Sequence, residues 1–212
     1  MICEDEKTPG KREARRQERR EAIVAVAQRH FREHGYSGTS MSAIAADLGG
    51  SKTTLWTYFA SKEDLFAAAL DEWTVAFGCD STIHPAGDLR ETLTAYCTEF
   101  LRVMLTPEVG TLFRLVIAEA SRSPEIGRIF YERAPLRRHK AMAAYFETQI
   151  AAGTLRPVDT LRAAAQLHHL CMYRIFMHSM WGLGPDVSDQ AIAREVEEAV
   201  TLFLDGYAAT SG

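Results

Sequence analysis

Cysteine is scarce in this chain, and what there is stays apart. Cys3, Cys79, Cys97 and Cys171 form no Cys-x-x-Cys pair, so neither a zinc ribbon nor a thioredoxin-type motif is offered, and a reducing cytoplasm is the expected setting. Long apolar runs are missing too: none would cross a bilayer, and charged residues stand near the N-terminus where a secretory signal would place an apolar block. Neither export nor a membrane partner is expected. Gly-x-Ser-x-Gly, phosphate-loop, dinucleotide and His-Glu-x-x-His patterns are absent, which leaves no ground for an enzyme or a bound cofactor. Strand-like alternation and internal repeats do not occur either, and the remaining fold class is all-α.

What is present suits a helical core. Of 212 residues 47% are apolar, enough for a small domain joined to a larger one. The formal net charge of -4 is unevenly spread. Between Lys7 and Arg20 seven basic residues face two acidic ones, a local +5, and such a run just before a helix-turn-helix pattern can touch phosphates.

Residues 1–11 lack an apolar stripe and are expected to be a mobile arm. A first helix is predicted over 13–34, with Ile23, Val26, Ala27, His30 and Phe31 at helical spacing and Gly35 as its stop. Ser40 should cap a second over 41–48, and Ser51 a third over 52–59 whose Leu55 and Phe59 point inward. Ser61 caps a longer helix carrying Leu65, Phe66, Ala69, Leu70, Trp73 and Phe77, which would join a domain of residues 12–60 to one of 61–212. Asp88 and Glu91 have capping-box spacing, and Thr106 and Ser123 each stand as a cap before a helix-starting proline. Pro135 should kink or split its helix near Ala134. Asp159 opens a helix apolar on every side, and a last helix over 188–208 carries Ile192, Val196, Ala199, Val200, Phe203 and Tyr207 on one stripe with Glu195, Glu197 and Glu198 largely off it. Nine or ten helices are expected.

The segment from Thr53 to Lys62 packs small hydroxyls, aromatics and a lysine behind the turn Leu48-Gly49-Gly50-Ser51. That composition suits the major groove of DNA better than a catalytic pocket.

These residues resemble the TetR family of one-component bacterial repressors. The likeness runs through Phe31, Gly35-Tyr36, Thr39-Ser40, Ile44-Ala45, Leu48-Gly49, Ser51, Thr54-Leu55, Tyr58-Phe59, Ser61-Lys62, Glu63 and Leu65-Phe66. Further on, Glu119-Ala120, Ser123-Pro124-Glu125, Tyr131-Glu132 and Gly153-Thr154-Leu155-Arg156 are similar to its AefR-like branch. Three positions depart from the pattern: Trp56 stands where tyrosine is usual, Gly50 where valine is usual, and Ala43 where an acidic residue would close a capping box. Lost caps of this kind cost about 1 kcal/mol.

The resemblance implies a homodimeric regulator, more often a repressor, that binds palindromic double-stranded operator DNA and is released by a small hydrophobic or aromatic effector. It makes 52–59 the recognition helix, with Lys52, Thr53 and Thr57 as candidates for base edges. Ser40, Ser51, Trp56, Tyr58 and Lys62, with Arg16 and Arg20 from the basic run, are candidates for phosphates. Phe100, Met104, Phe113, Ile117, Phe130, Tyr145, Phe146, Met172 and Phe176 are candidate lining of an effector cavity, with His169, Tyr173 or Glu119 as its polar anchor. The last two helices would build an intersubunit four-helix bundle through Leu170, Met177, Val196, Val200, Phe203 and Tyr207. The competing expectations are an architectural or division factor without an effector, and a metal-responsive protein using His168, His169, Cys171 and His178.

Overall fold

A computed structural model describes residues 10–76 and 82–209. Most of the expected arm, the last residues of the chain, and Cys3, Phe77 and Cys79 lie outside the described residues. Among the described residues the architecture is eleven helices, α1 Lys11–Gly38, α2 Met41–Asp47, α3 Lys52–Trp56, α4 Lys62–Ala76, α5 Leu89–Met104, α6 Pro107–Ala120, α7 Pro124–Arg133, α8 Pro135–Ala151, α9 Thr160–Met172, α10 Ile175–Met180 and α11 Asp189–Tyr207. The fold is all-α. Its one β element among the described residues is an isolated antiparallel bridge between Leu155 and Ala208.

By packing the chain divides into two compact units, Met1–Leu70 and Asp71–Gly212. The division falls inside α4, whereas the expected boundary at residue 61 is the cap of that helix.

Unit 1 is built by α1 to α3 and the first half of α4. Ile23, Val24, Ala27 and Phe31 of α1 are buried with Ile44, Leu55, Leu65 and Phe66. Phe31, Tyr36 and Phe66 form an aromatic cluster with centroids 5.2 to 5.8 Å apart. Gly35 breaks α1 where a stop is expected, at φ 70 and ψ 176, and the chain makes one more turn to Gly38. Ser40 and Ser51 cap α2 and α3 by accepting from the backbone N–H groups of Ala43 and Thr54. The third helix is shorter than predicted: it closes at Trp56, because the Thr54 carbonyl accepts from both the N–H and the hydroxyl of Thr57, and a turn carries the chain through Tyr58 to buried Phe59.

Unit 2 packs α5, α8, α9 and α11 around one core that includes Leu93, Leu101, Met142, Phe146, Leu167, Val196 and Phe203. The capping box at Asp88 and Glu91 forms in both directions. Pro135 splits the predicted helix into α7 and α8 at Ala134, as its missing N–H requires. Two caps are absent: neither Thr106 nor Ser123 makes a side-chain cap bond, and Thr106 instead donates back to the Val103 carbonyl.

The apolar helix after Asp159 is two helices, not one. It breaks at Tyr173 and Arg174, where Glu195 of α11, 4% exposed, accepts from the Arg174 backbone N–H at 3.1 Å and from its guanidinium at 2.8 and 2.9 Å. Glu195 therefore belongs to the inward face of α11, contrary to expectation, because only there does it meet the donor that the break sets free.

Candidate functional site

In unit 1 the exposed surface of α3 carries Lys52, Thr53, Trp56 and Thr57, with Tyr58 half-buried behind them. Leu55 and Phe59 anchor this element in the core. The turn before it needs a left-handed residue, and Gly49 supplies it at φ +60. Gly50 has a different reason. A β-carbon there would stand 3.0 Å from Nη2 of Arg19, which reaches across to the Leu48 carbonyl at 3.4 Å. The absent valine side chain thus leaves room for an arginine of α1.

The basic start of α1 reaches this region through Arg19 and Arg20. Arg12, Arg15 and Arg16 are exposed along this helix, and Arg20 is half-buried with its guanidinium 5.2 Å from the centre of the Phe59 ring. Below them Asp47 accepts from His30 and Arg29, both at 2.9 Å, and these donors hold its carboxyl below the usual carboxylate range. Glu63 is likewise held low, first by the Tyr36 hydroxyl at 2.7 Å.

Lys62 requires a correction. Its ammonium donates to the carbonyls of Tyr36 and Thr39 at 2.9 and 3.1 Å and sits 3.9 Å from the centre of the Tyr36 ring. It closes the end of α1 onto α4 instead of standing ready for a phosphate. Lys62→Met should accordingly lower the melting temperature by several degrees, a loss of about 1–2 kcal/mol, while leaving the salt dependence of any polyanion binding unchanged. Thermal melts beside a salt titration check both halves.

In unit 2 the expected cavity residues divide. Phe100, Met104, Phe130, Phe146 and Phe176 are buried core, and Phe113 lies edge-on to Phe130 and Phe176 with both centroids 5.1 Å away. Tyr145 and Met172 are half-buried against that core. Ile117 is 66% exposed and Tyr173 77% exposed, so neither lines an interior. His169 is exposed as well. Glu119 is buried.

A polar group that the sequence offered only as a metal ligand does sit inside. His168 is 3% exposed, with Nδ1 2.7 Å from the Ala164 carbonyl and Nε2 2.9 Å from the Tyr96 hydroxyl. A carbonyl only accepts, so Nδ1 carries the proton and Nε2 accepts from Tyr96. His139 packs beside it, ring centroids 5.1 Å apart. Burial pushes His168 down to about 3 and also lowers His139, with neighbouring Arg138 acting in the same direction on each. The α8 run Arg137-Arg138-His139-Lys140 reads as solvated charge, which is why sequence alone passed over it.

The His168 value fixes an acid sensitivity. The unfolded chain takes up this proton near 6.5 and the folded chain only near 3, so stability present at neutral pH is lost as pH falls below 6.5, by about 2 kcal/mol at pH 5. His168→Gln, which keeps a polar partner for Tyr96, should flatten the melting temperature between pH 7.5 and 5; an unaltered slope would refute this assignment. With both ring nitrogens committed, His168 is also unavailable as a metal ligand, and among the described residues no group of three or more His, Cys, Asp or Glu side chains could hold a metal. Cys171 pairs instead with Cys97, both free and buried, and their contact raises the Cys97 thiol well above its usual value.

The expected dimer residues also divide. Val196, Val200 and Phe203 are at most 1% exposed and belong to the protomer's own core, because the apolar stripe of α11 faces α5 and α9. Leu170, Met177 and Tyr207 are half-buried. The outward faces of α9 and α11 hold Leu161 and Leu202, both exposed, with exposed Tyr173 just past the end of α9; Tyr173 and Leu202 line an open groove of about 570 Å³ with Gln166, His169, Leu170 and Tyr207 among others. Leu202, 62% exposed, is the residue that sequence reasoning missed; its side lies off the longest stripe. No helix among the described residues is long and apolar enough to cross a membrane.

Comparison with known proteins gives two family matches. Residues 23–69 match the bacterial regulatory proteins of the tetR family, and residues 91–209 match the AefR-like transcriptional repressor C-terminal domain. Among curated proteins, the HTH-type transcriptional regulator RutR of Escherichia coli (strain K12) is 42% identical over 114 residues, 50% of this chain and 51% of that one. The chain thus spans about half the length of that relative. HbdR of Aromatoleum sp. (strain CIB), also an HTH-type transcriptional regulator, is 24% identical over 92% of this chain and 83% of its own. Among solved structures, the flavonoid-responsive regulator FrrA superposes with a TM-score of 0.83 at 29% identity, covering 92% of this chain and all of its own (100%). A TetR-family regulator from Mesorhizobium loti MAFF303099 gives 0.77 at 26% identity, covering 92% and 99%.

Proposed function

The chain belongs to the TetR family of bacterial regulatory proteins, and from that premise we propose that it is a homodimeric, ligand-responsive repressor of transcription acting on palindromic operator DNA. The observation that carries this reading is α3: a five-residue helix, Lys52–Trp56, capped by Ser51, anchored by Leu55, and presenting Lys52, Thr53, Trp56 and Thr57 outward. In this reading Lys52, Thr53 and Thr57 meet base edges in the major groove. Ser40, Ser51, Trp56 and Tyr58 meet phosphates, and Arg16 and Arg20 extend the contact along the backbone.

One such module buries too little surface for selective binding, so two copies act on adjacent half-sites. The exposed Leu161 and Leu202 on α9 and α11, with Tyr173 just past the end of α9, support pairing of those helices with a second copy. A small hydrophobic or aromatic effector in unit 2 favours a spacing of the two recognition helices that no longer fits successive major grooves. Helix α4, which contributes residues to both units, is the lever. That the similar regulator FrrA is described as flavonoid-responsive supports an aromatic effector.

Titration of labelled promoter fragments by fluorescence anisotropy, with the mass measured by sedimentation, tests the proposal. Saturable binding by a species of twice the protomer mass is the expected result. A strictly monomeric protein, or one indifferent to every neighbouring promoter at low salt, overturns it.

A further inference from the structure

We infer that Arg138 and His139, beside the ring of Phe100, form a binding site for the carboxylate of an aromatic acid. This deepens the ligand-responsive reading above and rests on it only for the regulatory consequence, not for the binding itself.

Three helices converge there: α5 brings Tyr96 and Phe100, stacked with centroids 6.5 Å apart and planes within 8°; α8 brings Arg138 and His139; α9 brings His168 and His169. Positive charge in this cluster meets no counter-ion among the described residues. Arg128, Arg133 and Arg137 on the same helix pair each meet a carboxylate, from Glu132 or Asp71. Arg138 meets none among the described residues; its guanidinium rests 4.9 Å from the centre of the Phe100 ring. His139 is 7% exposed and its ring nitrogens make no hydrogen bond with any described residue. Neither nitrogen is sealed from solvent, so water completes them in the free protein and a ligand with a matching acceptor can take its place.

The hydrogen-bonding pattern selects what that ligand is. Tyr96 spends its proton on His168, whose own proton goes to Ala164, so neither offers a donor. The available donors are the guanidinium of Arg138 and one N–H of His139, arranged beside an aromatic face. A planar acid matches all three, its carboxylate taking the fork of Arg138 and its ring replacing the guanidinium on Phe100. Burial, and then neighbouring His169 and Arg138, lower the pKa of His139, and an incoming anion opposes that shift. Binding should therefore take up a proton and tighten as pH falls from 8 to 6.

The test uses the full chain and 2-naphthoate, with its methyl ester and carboxamide as neutral controls, followed by calorimetry in buffers of differing ionisation enthalpy. The expected result is binding of the acid with proton uptake, weakened about tenfold or more by Arg138→Gln and stripped of its proton uptake by His139→Asn. Thermal melts of both variants confirm that they fold. Equal binding of the ester, an acid affinity unmoved by Arg138→Gln, or no binding of the acid at millimolar concentration overturns the site. If the acid binds as described yet leaves promoter affinity unchanged, the site stands and the ligand-responsive reading falls instead.

Discussion

Phe66→Ala should cost about 3–5 kcal/mol, the range for emptying a buried aromatic position. Phe66 is 0% exposed and lies edge-on to Phe31 at 5.2 Å and tilted against Tyr36 at 5.4 Å. Those rings join the C-terminal part of α1, on both sides of its break at Gly35, to α4. Small domains have total stabilities of roughly 5–15 kcal/mol, with the smallest at the low end. Unit 1 should then be largely unfolded at 37 °C, and promoter binding should disappear with it. Urea unfolding followed by circular dichroism gives the number; a loss under about 1 kcal/mol would show that the cluster is not the keystone of this unit. Val75→Ala, at a position 81% exposed, serves as the control and should stay within about 0.5 kcal/mol.

Lys52→Ala combined with Thr53→Ala should reduce discrimination between operator and scrambled DNA by about a hundredfold, since each base-edge contact contributes about 1–3 kcal/mol. Both side chains are exposed, so the fold is untouched and the loss is one of readout. Arg16→Ala should behave differently, weakening operator and scrambled DNA alike and lowering the slope of log affinity against log salt by about one. The contrast separates reading from holding. If Arg16→Ala instead relaxed the sequence preference, or the double variant left it intact, the assignment of α3 as the reading element would fail.

What the sequence made legible was what neighbouring residues decide. Ser40, Ser51, Asp88 and Asp159 cap helices where their spacing says they should, because the acceptor and the N–H it satisfies lie three residues apart. Pro135 divides α7 from α8 for an equally local reason. Thr106 is a local exception, its hydroxyl turned back to Val103 instead of capping α6; other surprises answer to partners far along the chain. Glu195 is buried for the sake of Arg174, twenty-one positions earlier; Lys62 is drawn to carbonyls at the end of α1; His139 lies among histidines of another helix. Periodicity locates the apolar stripe of α11 correctly but cannot say whether it serves its own core or a neighbour. Val196, Val200 and Phe203 went to the core, leaving Leu202 and Tyr173 for the outside.

The junction at Arg174 also bears on how two subunits would meet. Because Glu195 fastens the break between α9 and α10 to α11 through the backbone and guanidinium of Arg174 together, the end of α9 and the helix α11, which carry the outward apolar face, are already locked in one chain. A partner would land on a finished platform, and little conformational entropy would remain to be surrendered on contact. Dilution should therefore halve the particle mass while helical ellipticity holds steady, the signature of rigid-body association without coupled folding.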